Sequence, residues 1–329
     1  MAKKRKARKI NPRKLNFKRL AVCAGILAVA ALGIKTVHFF GDEETKDTIE
    51  SGIVSVIDIV RECPATPDEM VFLLDGIAQH LPFVYGQSVD AGTLDATGLV
   101  LGGTPESDKS LSFLKNRGYI VGYDNAAGNP AWVAYKVFRP KSFETEDRPA
   151  FETDTRSRAR VEPSDYTHSG YDRGHMAPNQ AMAVCYGEAA QRESFLMTNI
   201  VPQLHEVNAG VWKDLEQRIL KRYTHAFGEV WVVCGPIYNK EQNQRRKLKG
   251  KVFVPDAFFM IVADRDEERG NALRTLGFII PHEKGIDGNA RAHLASIREI
   301  ERRSGLNFFR ELDEITQNAL ELKPAKTIW

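Results

Sequence analysis

The sequence predicts a mixed α+β domain preceded by a transmembrane helix, on three observations. Clusters of β-branched and aromatic residues recur from about residue 117 to 280. Stretches with helical spacing interrupt these strand groups, the arrangement of an α+β domain. Ahead of them, a charge-free apolar run follows a strongly basic head. The remaining composition is ordinary: 329 residues, 43% hydrophobic and 27% charged, which excludes wholesale disorder, collagen and a multi-span membrane protein.

The strand candidates come in order. Gly118–Tyr123 and Ala131–Phe138 flank a turn at Asn125–Pro130, as a hairpin requires. Val230–Cys234, Val252–Val254 with Phe258–Val262, and Leu276–Ile280 follow. Between them, Val211, Trp212, Leu215, Ile219 and Leu220 mark one side of a helix over Ala209–Tyr223. Residues 290–303 and 306–315 read as C-terminal helices, with 316–329 as a tail, and no internal repeat is visible.

The N-terminal third carries no identifiable chemistry. The net charge of +3 averages two unlike parts: eleven basic and no acidic residues in 1–40, so that 41–329 hold 35 basic and 43 acidic residues, a net of −8. Any anion site in the body must therefore be local. Leu20–Ile34 is uncharged, and the run to Phe40 is long enough to span a bilayer, giving a basic cytoplasmic tail over 1–19 and an anchor over 20–40 with the body outside. A cleaved signal peptide and a mitochondrial presequence are the rival readings. Residues 41–110 read as a helical prelude and linker: an apolar stretch at Ile53–Val60, a capping box at Thr66–Glu69 before Met70–Leu81, and a Gly/Ser/Thr/Asp-rich loop over 86–110. Cys23, Cys63, Cys185 and Cys234 form no CxxC pair, so neither a zinc site nor a redox motif is suggested.

Chemistry concentrates in 165–216. Asp172-Arg173-Gly174-His175 sets a cation, a glycine and an imidazole within four residues. An imidazole can take a proton from water near neutral pH, and arginine offers two-pronged contact to phosphate. Asn199, Asn208 and Glu216 follow 24, 33 and 41 residues after His175. The amide oxygen of Asn208 suits a hard cation such as Mg²⁺, although asparagine is also a common helix cap. Asn208, Trp212 and Glu216 recur every four residues on one helix face. At 1.5 Å per residue, roughly 12 Å separates the two polar ends, too far for both to bind one metal directly. Glu216 is then expected to reach the metal through water.

At these residues the chain resembles the DNA/RNA non-specific endonucleases of the ββα-metal class, also called His-Me finger nucleases. The shared pattern is DRGH at Asp172–His175, N-x-x-P-Q at Asn199–Gln203 and N-x-x-x-W-x-x-L-E at Asn208–Glu216. It extends through Gly118–Val137, Val232–Tyr238, Val252–Val262 and Ile297–Phe309, and so covers about residues 117–312. The resemblance implies a central antiparallel sheet flanked by helices, in a nuclease domain placed here at 111–315. It implies Mg²⁺, with Mn²⁺ as a substitute, as cofactor, DNA and RNA as partners, and a homodimer as a candidate assembly. His175 matches the general base, Asn208 the one direct metal ligand, Glu216 a residue acting through water and Asn199 a supporting polar residue. Arg173 would contact phosphate, and Asp172 would position the loop or reach the metal from the second layer. A family arginine ahead of the motif matches Arg148, with Arg156, Arg158 and Arg160 as neighbouring alternatives. His168 and His205 lie beside the motifs and are not counted in the site. Products with 5′-phosphate and 3′-hydroxyl ends are implied.

Overall fold

The computed structural model describes residues 98–238, 246–266 and 272–329. The tail over 1–19, the span over 20–40, the helices expected at 53–60 and 70–81, and the linker up to residue 97 lie outside the described residues. The expected fold class is corrected in one respect. No helix among the described residues is long and apolar enough to cross a membrane, and those residues form a mixed α/β domain.

Strand β1 (Glu106–Ser107) precedes β2 (Ser112–Lys115), β3 (Tyr119–Asp124) and β4 (Asn129–Phe138). Asp124 turns the β3–β4 hairpin by accepting the N–H groups of Ala126 and Ala127 at 3.0 and 3.1 Å. A short ribbon, β5 (Asp172–His175) and β6 (Ile200–Gln203), is separated by α1 (Asn179–Tyr186) and α2 (Glu188–Ser194). Then come α3 (His205–Ala209), α4 (Val211–Arg218), β7 (Glu229–Ile237), β8 (Lys247–Leu248), β9 (Val252–Phe253), β10 (Ala257–Asp266) and β11 (Ala272–Pro281). The chain finishes with β12 (Leu294–Ala295), α5 (Ile297–Ser304), β13 (Leu306–Asn307) and α6 (Glu314–Glu321). A separate single turn at Thr224–Phe227 continues α4 through a wide turn at Ile219–Tyr223.

Seven strands form one antiparallel sheet in the order β12-β11-β10-β7-β4-β3-β2. Central strands β7 and β10 are rich in Val, Ile and Phe because both sheet faces are covered there. The period-2 alternation of a strand sorts neighbours to opposite faces. Phe259 meets Phe308 at 5.5 Å in a cluster with Trp132, Ile261 and Ile300. Phe258 points the other way and meets Trp212 of α4 at 5.6 Å. That second face carries the β5–β6 ribbon: the Cys234 thiol of β7 donates to the carbonyl of Met176, 3.3 Å away.

Two helix expectations change. Residues 290–303 break at β12, and the helix begins only after Ser296, whose hydroxyl caps the N–H of Glu299. The helix expected over 306–315 is replaced by β13 and an irregular anchor, with α6 starting after the Asp313 cap. Phe308, Phe309 and Leu312 mimic helical spacing but are spent as buried anchors in the sheet cluster. The described part of the expected linker is likewise packed on the body: Leu99, Val100 and Leu101 belong to the same cluster.

Candidate active site

Register across the ribbon pairs Asp172 with Gln203 and His175 with Ile200. Gly174 is needed there because a Cβ would collide with the side chain of Gln203, which is fully buried and cannot swing away. His175 is 8% exposed and wedged between aromatic rings, Phe195 edge-on at 4.8 Å and Phe151 tilted at 5.5 Å. Arg148 lies over the Phe195 ring and Arg173 over the Phe151 ring, each at 5.5 Å. The Trp212 indole N–H donates to the backbone carbonyl of His175 at 3.3 Å.

Arg148, Arg173, His175, Asn208, Lys213 and Glu216 line one cavity of about 330 Å³. His175 Nε2 is buried with no hydrogen-bond partner among the described residues. Burial, and then the positive charge of Arg148, push the His175 imidazole down to about 3. It is therefore neutral at pH 7 and able to accept a proton. Glu216 is half-buried, yet its carboxyl sits deep enough that burial pushes it up to about 8, with Trp212 and Lys213 opposing.

Asp172 does not line this cavity. Its Oδ2 accepts from Asn208 Nδ2 at 2.9 Å and lies 2.8 Å from His205 Nδ1. A carboxylate can only accept, so the NH₂ of Asn208 must face it and the amide oxygen is left free. Asn199 is also outside the cavity. Its side chain accepts from the Ala177 N–H at 2.8 Å and donates to the carbonyls of Ala177 and Ser194, fastening the chain just past His175. Of the candidate arginines, Arg156 is engaged with Asp154 and with Lys115 and Asn116, away from the cavity.

The expected continuous helix face is interrupted. Asn208 is the fourth residue of α3, not its cap, and the chain kinks at Gly210 before α4. A Cβ at Gly210 would run into the Glu206 carbonyl oxygen. Gly210→Ala is expected to cost about 1–3 kcal/mol, read as a lowered urea midpoint; an unchanged midpoint would show that the kink absorbs the methyl group. Phe151, Phe195 and His205 are contributors that the sequence motifs did not single out, since nothing local marks an aromatic residue as packing on a distant histidine.

No group of three or more His, Cys, Asp or Glu side chains among the described residues could hold a metal. One oriented amide oxygen beside a carboxylate instead suits a hard ion that keeps most of its water, as Mg²⁺ does. The residues therefore fit such an ion.

Residues 102–315 match the family model for DNA/RNA non-specific endonucleases. The chain belongs to that family. It is 30% identical over 234 residues to the mitochondrial nuclease EXOG of Danio rerio, covering 64% of each chain. It is 31% identical over 234 residues to a nuclease of a Nostoc species, covering 68% of this chain and 82% of that one. The chain thus spans just under two thirds of the length of the Danio relative. A solved chain from the EndoG/EndoGI complex shares the fold, with a TM-score of 0.55 over 63% of this chain and 88% of the other at 24% identity.

Proposed function

We propose that the domain is a Mg²⁺-dependent endonuclease that hydrolyses phosphodiester bonds of both DNA and RNA to 5′-phosphate and 3′-hydroxyl ends. The observation that carries this reading is the buried, unpartnered Nε2 of His175 in one cavity with two arginines and a free amide oxygen. In this reading His175 Nε2 takes the proton of the attacking water. Arg148 and Arg173 hold non-bridging phosphate oxygens, and the aromatic rings beneath them fix their headgroups. Asn208 would hold the cation through its amide oxygen and Glu216 through water, with Asp172 orienting Asn208. Asn199 acts as a positioning residue. When bound, the cation stabilises charge on the phosphorus centre and on the departing 3′ oxygen. Because these contacts go to phosphate, they carry no base information, and cleavage is indifferent to sequence and to sugar. Among the three readings of the basic head, the mitochondrial one is supported by the relatives named as mitochondrial.

The full chain is expected to degrade plasmid DNA and RNA in Mg²⁺ and to stop in excess EDTA. The new ends should accept label from polynucleotide kinase only after phosphatase treatment. If both polymers stay intact in Mg²⁺ and in Mn²⁺, the nuclease reading fails.

A further inference from the structure

We infer that His282 is a positioning residue for Asn208, acting through the backbone of Leu204 across 78 residues of sequence. The inference rests on the reading of Asn208 as the cation-holding residue. The Leu204 N–H donates to His282 Nε2 at 2.7 Å. The carbonyl of the same residue receives the Asn208 N–H at 2.9 Å and the Val207 N–H at 3.0 Å. Two successive hydrogen bonds therefore join the imidazole to the backbone of Asn208.

The tautomer follows from the partners. His282 Nδ1 lies 2.7 Å from the carbonyl oxygen of Pro255, which can only accept, so Nδ1 carries the proton. Nε2 is then left with its lone pair facing the Leu204 N–H. Neither bond is available to a freely rotating ring, and this one is held between Phe258 at 4.9 Å and Tyr171 at 5.6 Å. The backbone of His282 is itself fixed, its N–H donating to the carbonyl of Asp256 at 3.0 Å.

Helix α3 needs such a hold. It has five residues, too few to sustain a helix alone, and no side chain caps its N-terminus. A second tie comes from the same stretch after β11: the Gly285 N–H donates to Glu206 Oε2 at 2.9 Å. The segment 282–285 thus grips α3 at its first turn. Asp172 orients the amide of Asn208, and His282 fixes where its backbone stands.

The test measures Mn²⁺ binding to the metal-free full chain by electron paramagnetic resonance, with no dependence on turnover. His282→Phe keeps a ring between Phe258 and Tyr171 but offers no acceptor, and is expected to weaken binding roughly 10-fold. His282→Gln can accept from Leu204 and donate to Pro255, and is expected to recover most of that loss. Glu206→Ala, at an exposed position, should fold normally and weaken binding by a smaller factor, which keeps the proposal testable if His282→Phe is unstable. Asn208→Ala is the control. If it leaves Mn²⁺ binding unchanged, the Asn208 reading itself is wrong. If Asn208→Ala loses binding while His282→Phe or Glu206→Ala retains it fully, the positioning role is overturned. Equal losses in His282→Phe and His282→Gln would overturn it too, because the acceptor would then be irrelevant.

Discussion

His175→Ala is expected to lower kcat on both DNA and RNA by roughly 10²–10⁴-fold, the usual contribution of a positioned general base, with a much smaller change in KM. The phosphate contacts proposed for Arg148 and Arg173 do not require the imidazole. The pH profile gives a sharper check. A general base works only when neutral, and a free histidine loses that state as pH falls through about 6.5. Here burial and Arg148 push His175 down to about 3, so the neutral form persists through the whole mildly acidic range. In a Glu216→Gln background, which removes the carboxyl that burial pushes up to about 8, the acid limb of kcat/KM, which reports the free enzyme, should therefore lie well below 6.5. Arg148→Met should move it upward only in part, since burial is the larger cause. An acid limb at the ordinary histidine value that is unmoved in Arg148→Met would contradict the assignment. A thermal melt of each variant separates lost chemistry from lost packing, because His175 also fills space between Phe151 and Phe195.

The parts of this site that were legible in the sequence are those whose partners lie nearby in the chain. Asp172–His175 and Asn208–Glu216 are contiguous strings, and the helical spacing of Val211, Trp212 and Leu215 was readable from periodicity. The strands of the sheet were legible for the same reason, because Val230–Cys234 and Phe258–Val262 are strongly β-forming runs. The kink at Gly210 was not. A glycine within a helical pattern is tolerated as often as it breaks, and only the approach of the Glu206 carbonyl decides the matter. The pairing of DRGH as a strand with Ile200–Gln203 was also hidden, since four-residue ribbons carry little periodic signal. Tertiary pairings such as His175 with Phe195, or His282 with Leu204, leave no local mark. His205 illustrates the limit: nothing in its neighbourhood distinguishes it from His168, yet His205 reaches the carboxylate that orients Asn208.

Asn208→Ala should be as damaging as loss of the base, through a different route. The variant removes an amide oxygen that the geometry leaves free for a cation, and with it several kcal/mol of charge stabilisation at the phosphorus centre. That corresponds to a loss of about 10²-fold or more in kcat/KM, together with a raised half-saturating Mg²⁺ concentration. Asn208→Asp discriminates ligation from simple packing. An aspartate restores an oxygen ligand but places a carboxylate against Asp172 Oδ2, where the amide NH₂ now donates at 2.9 Å. Two facing carboxylates repel unless a cation or a proton intervenes. Asn208→Asp is thus expected to recover part of the activity at high Mg²⁺ and at higher pH, and to be weakest at low Mg²⁺. Replacing Asp172 with Asn in that background relieves the repulsion and should bring the required Mg²⁺ down again. A double variant no better than Asn208→Asp would mean that Asp172 does not govern this amide. Full activity in Asn208→Ala would place the cation elsewhere in the cavity.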